Sequence, residues 1–250
     1  MLRHLAKRWP LEYCVELAER PEGSDMNNRS LAFAATLLLI APGAYAACSD
    51  APAAGVDWSN CTKQQLVIRG KNLQGARFEH ATLLAVNFER SDLTGASFVA
   101  ANVSRTSFRD AMLERANLSK LIAVRSSFAG ARLAGADLQK AELHRCVLTA
   151  SVLRGANMSK GDFGRAVFDR ADLREANFKY ASLGRASFRE ARLDGADFSQ
   201  AHLFAANFEG TDLSGVKGLG QAQLDAACGD ARTRLPKGLK HPPGWPCAAD

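Results

Sequence analysis

The chain has 250 residues, 47% of them hydrophobic and 8% aromatic, with six cysteines; this length accommodates one domain or two. Thirty-two Lys and Arg against 26 Asp and Glu give a net charge of +6, which excludes a strongly acidic surface.

Residues 26–46 read as a signal peptide that begins at an internal methionine, and residues 1–25 fit poorly ahead of such a signal. Arg29 supplies positive charge, residues 31–41 form an 11-residue apolar run, and Ala44-Tyr45-Ala46 fits the small-x-small cleavage rule. The run is too short to span a bilayer, so no transmembrane segment is expected. The true start is therefore either Met26, with 1–25 an over-extended reading, or Met1 with a long leader. Cleavage near Ala46 predicts an exported protein, periplasmic or extracellular. The alternative is a lipoprotein anchored through Cys48, disfavoured because Tyr45 is a poor residue three places before it and lipidation would orphan Cys61.

Residues 47–65 read as an N-terminal cap, and residues 66–215 as a repeat block. From Ile68 to Leu213 a large residue stands at every fifth position, 30 units without insertion or deletion. Twenty-six are Leu or Phe, the exceptions being Ile68, Val103, Ala123 and Met158, and the residue two places earlier is Ala in 19 units. Five residues turn a helix by about 500°, so the series builds no helical face. In a flat strand an odd spacing throws successive side chains onto opposite faces. A period this short marks a solenoid. Asp or Asn often precedes the large residue, as in Asn87, Asp92, Asn117, Asp137 and Asp197.

The pattern A-[DN]-[LF]-x-x, written out by "GADLQ" and "EANFK", resembles the pentapeptide repeat family. The resemblance implies an all-β fold, a right-handed quadrilateral β-helix with one pentapeptide per side, here of about 7.5 coils with short capping segments. The large residue and the small one before it would point inward. The sequence tests four-sidedness itself, because a 20-residue coil leaves columns at period 20: positions 73, 93, 113, 133, 153, 173, 193 and 213 are all Leu. Two residues beyond these stand Gly75, Gly95, Gly135, Gly155, Gly195 and Gly215, which predicts one corner with backbone angles that a side chain resists. Eleven of the 13 Phe occupy core positions, predicting a packed rod without a ligand channel, about 36 Å long at roughly 4.8 Å per coil. One unit breaks the rule: Leu121 stands where a small residue belongs and Ala123 where a large one belongs. This reads as a compensated packing irregularity, the other reading being a hinge or binding site.

Residues 216–250 read as a C-terminal cap. "QAQLDAAC" (221–228) is expected to form two helical turns over the last coil, and Trp58 and Trp245 place one tryptophan in each cap. The final segment resembles the terminal segment of exported members of this family. Such plugs would limit end-to-end association, to which the open edges of a solenoid are prone. Four cysteines flank the repeats, predicting Cys48–Cys61 and Cys228–Cys247 disulfides, each worth about 3 kcal/mol and permitted by export. Cys146, at a small-residue core position, is expected to be a buried thiol.

No catalytic, cofactor or metal motif is present: His80, His144, His202 and His241 form no HExxH, and there is no GxSxG, CxxC or phosphate loop. An enzyme is not expected, nor a cofactor. The surface says more. Arg105, Arg125, Arg145, Arg165 and Arg185 recur at intervals of 20, and Lys120, Lys140 and Lys160 hold the equivalent place on the preceding side, predicting a basic strip along one edge. One reading is a solvated face partly neutralised by Glu142 and Asp162. The other is a docking strip for an anionic envelope protein or polymer. The expected function is thus a non-catalytic scaffold in the bacterial envelope with an unknown partner. Two alternatives stand beside it. Some members of the resembled family protect DNA gyrase by imitating DNA, which calls for an acidic cytoplasmic rod and is disfavoured by the basic charge and the signal. A nonspecific nucleic-acid binder would lack interleaved aromatics, since the Phe residues are committed to the core.

Overall fold

The computed structural model describes residues 48–246. The leader at 1–25, the signal segment at 26–46 and Cys247 lie outside the described residues.

Parallel bridges join residue i to residue i+20 in an unbroken series from Asp57↔Arg77 to Asp197↔Lys217. A coil therefore has 20 residues and four five-residue sides, and the chain is a β-helix solenoid. Most sides contribute one bridged residue between turns. Only β1 (Thr62–Gln64) and its parallel neighbour β2 (Thr82–Leu84) are long enough to be strands among the described residues.

The backbone explains the pentad. In 96–100, Ser97 N–H donates to Ala76 C=O in the coil before, and Phe98 and Ala100 donate to Asn117 and Ser119 in the coil after. Ala101 N–H closes the turn onto Phe98 C=O at 3.0 Å. Among the described residues the fourth N–H of a pentad has no backbone acceptor, and backbone N–H groups are strong donors that seek one. The Asp or Asn two places earlier supplies it: Asn117 Oδ1 accepts from Ser119 N–H at 3.1 Å, Asp137 from Gln139 at 3.0 Å and Asp197 from Ser199 at 2.9 Å. The acidic and amide residues before the core position are thus Asx turns.

Each turn puts its third residue in the left-handed region, as a type II turn requires. This holds at all four corners, from Gly55 to Gly210, whether or not the residue is glycine. The expectation that one glycine-marked corner is special is corrected: Arg105, Lys120, Glu175 and Tyr180 share φ values of 59–61°. Lateral hydrogen bonds outweigh the roughly 1–2 kcal/mol that a side chain adds there.

Inside, Leu and Phe fill the third positions and Ala the first. Phe rings one coil apart stack at 4.5–5.2 Å, as Phe88–Phe108 and Phe178–Phe198 do, and rings ten residues apart meet edge to face. Buried hydroxyls at first positions donate to the core carbonyl of the coil below, Ser91 to Ile68 and Thr106 to Leu83. Cys146 takes the same place, its Sγ on Ala123 C=O. It is a free, buried thiol, and burial pushes it up to about 12. Leu121 and Ala123 are both fully buried, and the frame passes through them with Ile122 bridged to Asn102 and Glu142.

Coiling begins inside the segment expected to be only a cap. Trp58 occupies a core position beneath Phe78, their rings 5.8 Å apart. The Cys48–Cys61 disulfide ties residue 48 to this first coil, and Lys63 Nζ lies 4.2 Å from the Trp58 ring centroid. At the other end α1 (Gln221–Asp225) is shorter than the two turns expected and buries Leu224. Gln223 Nε2 donates to the carbonyls of Phe198 and Ala201, both at 2.9 Å. Two further bridges, Asn207↔Cys228 and Asp212↔Arg234, extend the coil past a short insertion. At Gly229 a Cβ would lie 2.4 Å from the Trp245 ring, so that ring fills the room a side chain would take. Cys228 is disulfide-bonded; its expected partner, Cys247, is not among the described residues.

Candidate anion-docking site

The 20-residue coil stacks Arg105, Arg125, Arg145, Arg165 and Arg185 in one column, and each occupies the left-handed turn position with φ of 56–61°. Lys120, Lys140 and Lys160 hold the corresponding turn position one side earlier. The single strip expected from the sequence is therefore two columns at neighbouring corners, with the face 121–125 and its counterparts between them. All eight side chains are exposed.

Among the described residues none of the eight forms an ion pair. Several basic residues elsewhere on the solenoid do, among them Arg132 with Glu114 at 2.6 Å, Arg189 with Glu209 at 2.9 Å, and Arg174 with Asp172, whereas others such as Arg109, Arg115 and Arg170 do not. The acidic neighbours lie on the face between the columns. Asp162 Oδ2 meets His144 Nε2 at 3.0 Å, and neither Asp162 nor Glu142 pairs with an arginine or lysine of the columns.

Beside the arginine column the surface sinks into a solvent-open groove of about 690 Å³. Arg105, Arg125 and Arg145 line it, together with Gln64, Gln65, Asn102, Ser104 and His144, and Leu84, Ala85 and Val124 give it an apolar part. Arg165 and Arg185 do not line it; they follow Gly164 and Gly184. The sequence exposed the column through its period of 20 but not the groove, which is lined by residues from five successive coils. A smaller recess of about 330 Å³ mixes Asp169 and Glu190 with Arg170 and Arg189 and so has no net sign. No group of three His, Cys, Asp or Glu able to hold a metal occurs among the described residues. His241 instead lies edge-on to Trp245 at 5.6 Å.

The family model for pentapeptide repeats in eight copies matches residues 72–110 and 111–149, and that for a pentapeptide repeat region matches residues 141–217. No curated protein matches the chain. Among solved structures, HetL of the cyanobacterium Nostoc sp. strain PCC 7120, a pentapeptide repeat protein involved in heterocyst differentiation regulation, is 23% identical. The match covers 75% of this chain and 92% of HetL, with a TM-score of 0.40. QnrB1, a plasmid-mediated fluoroquinolone resistance protein, is 20% identical over 68% of this chain and 94% of its own, with a TM-score of 0.28. A pentapeptide repeat protein of the Arabidopsis thaliana thylakoid lumen is 26% identical over 54% of this chain and 69% of its own, with a TM-score of 0.22.

Proposed function

Because the chain belongs to the pentapeptide repeat family, we propose that it is a non-catalytic interaction scaffold of the bacterial envelope whose basic columns dock an anionic partner. The β-helix is read as a right-handed quadrilateral rod, its 30 units making about 7.5 coils. The observation that carries the docking role is the set of five exposed arginines in 20-residue register without a carboxylate partner among the described residues. Like charges roughly 4.8 Å apart per coil repel one another, and a bound anion relieves that repulsion. Arginine forks match carboxylate and phosphate groups bidentately. The signal segment and the Cys48–Cys61 disulfide support export, since disulfides persist in oxidising compartments.

Retention on a heparin resin tests the docking role. Replacing the five column arginines by Asn, which tolerates the left-handed turn position, is expected to leave thermal unfolding intact and to lower the eluting salt concentration markedly. Elution unchanged from the unsubstituted protein overturns the reading.

A further inference from the structure

We propose that the groove along Arg105, Arg125 and Arg145 is a docking site for an extended acidic segment of a partner protein, with side chains alternating between acidic and apolar. The inference rests on the anion-docking reading and narrows it to one part of one column and one class of partner.

Charge is the first argument. Three exposed guanidiniums stand in a row along the groove with no ion-pair partner among the described residues, and clustered arginines are the usual reader of acidic peptide motifs. The second argument is the other lining. Leu84, Ala85 and Val124 offer apolar contact where a simple inorganic anion would need none. An extended peptide shows alternate side chains to opposite sides, so one set can face the arginines and the other Leu84 and Val124 in the neighbouring column.

Hydrogen bonding is the third. The side-chain amides of Gln64 and Gln65 have no partner among the described residues. Asn102 Oδ1 accepts from Ser104 N–H at 3.0 Å and Ser104 Oγ–H at 2.7 Å, which leaves its Nδ2 without an acceptor among them. An incoming extended backbone brings N–H and C=O groups that require partners, and side-chain amides supply both kinds.

Length agrees as well. The groove climbs from Gln64 to His144, four coils, or about 19 Å at roughly 4.8 Å each, which about six extended residues span at roughly 3.3 Å per residue. Two acidic residues at i and i+2, about 6.6 Å apart, fall within the roughly 9.6 Å covered by the three arginines. Nucleic acid is disfavoured because no Phe, Tyr or Trp lines the groove to stack on a base; the exposed Tyr180 and Phe204 lie farther along the coils.

The test is fluorescence anisotropy with the labelled hexapeptide Glu-Val-Glu-Val-Glu-Val, beside the block peptide Glu-Glu-Glu-Val-Val-Val and a hexameric uronic acid oligosaccharide. The alternating peptide is expected to bind at least tenfold more tightly than either. Arg105→Asn/Arg125→Asn/Arg145→Asn is expected to weaken it at least tenfold, and Arg165→Asn/Arg185→Asn less than twofold. Equal binding of the block peptide, tighter binding of the oligosaccharide, or equal losses in the two variants overturns the proposal. Retention on heparin without peptide binding overturns this inference and leaves the broader docking role standing. Absence of both overturns both.

Discussion

At the scale of the residue, two positions of each pentad carry specific demands. The fifth residue is left-handed because the turn requires it, so the arginine column stands on backbone that disfavours any side chain, and the lateral hydrogen bonds hold it there. The second residue, where it is Asp or Asn, accepts the one N–H that the coil leaves over. That role has a pH signature. The Arg174 side chain holds the Asp172 carboxyl below its ordinary value, and the Ser214 hydroxyl does the same for Asp212. Unfolded aspartates titrate near 3.9, so the unfolded chain takes up these protons first. The stability they contribute is complete above that value and is lost as pH falls through the lower folded values. The thermal midpoint is expected to be flat from pH 7 to about 5 and to drop below about 4. Asp172→Asn, which keeps an acceptor for Arg174 N–H, should make that drop shallower; an unchanged slope would remove Asp172 from the account.

At the scale of the element, one side of the coil carries two volume exchanges in the same column. Leu121 and Ala123 trade large for small. Two coils on, Gly161 accompanies Phe163: a Cβ at residue 161 would lie 2.6 Å from the Phe163 ring and 3.1 Å from Ala141 C=O. The first and third residues of a pentad therefore fill one shared space, and their sum matters more than the place of either. Leu121→Ala alone leaves a hole and is expected to cost about 2–5 kcal/mol in denaturant unfolding. Adding Ala123→Leu restores the ordinary pentad and should bring the loss to under about 1.5 kcal/mol. A double variant as unstable as the single one would show that the two sites do not share volume.

At the scale of the whole chain, a solenoid is a sum over neighbouring coils, so its ends decide where it opens. The described ends are closed differently. The N-terminal coil is pinned by Cys48–Cys61 around Trp58, although Leu66 and Val67 remain exposed on its last side. The C-terminal coil is closed by Gln223 and by Trp245 over Gly229. Export with cleavage near Ala46 and both proposed bridges predicts an envelope-fraction protein whose intact mass matches residues 47–250 less four hydrogens. Reductant should restore that mass difference. A fully reduced, uncleaved protein in the cytoplasm would end the envelope reading.

The fivefold spacing of Leu and Phe, the Ala two places before them and the period of 20 are enough to establish the coil, its filled core and the arginine register. Each is a property of side-chain size repeated along the chain, and repetition needs no long-range contact to be legible. Why Asp or Asn precedes the core residue is not legible there, because it depends on which backbone N–H the neighbouring coils leave unpaired. The glycine column misleads for a related reason: turn geometry is shared by all four corners and is imposed by lateral hydrogen bonding, so glycine marks only where it is accepted most easily. The groove beside Arg105, Arg125 and Arg145 exists only when residues 20 apart lie side by side. Gln64, Leu84, Ser104, Val124 and His144 share no residue type, and only the stacked coils make them one surface.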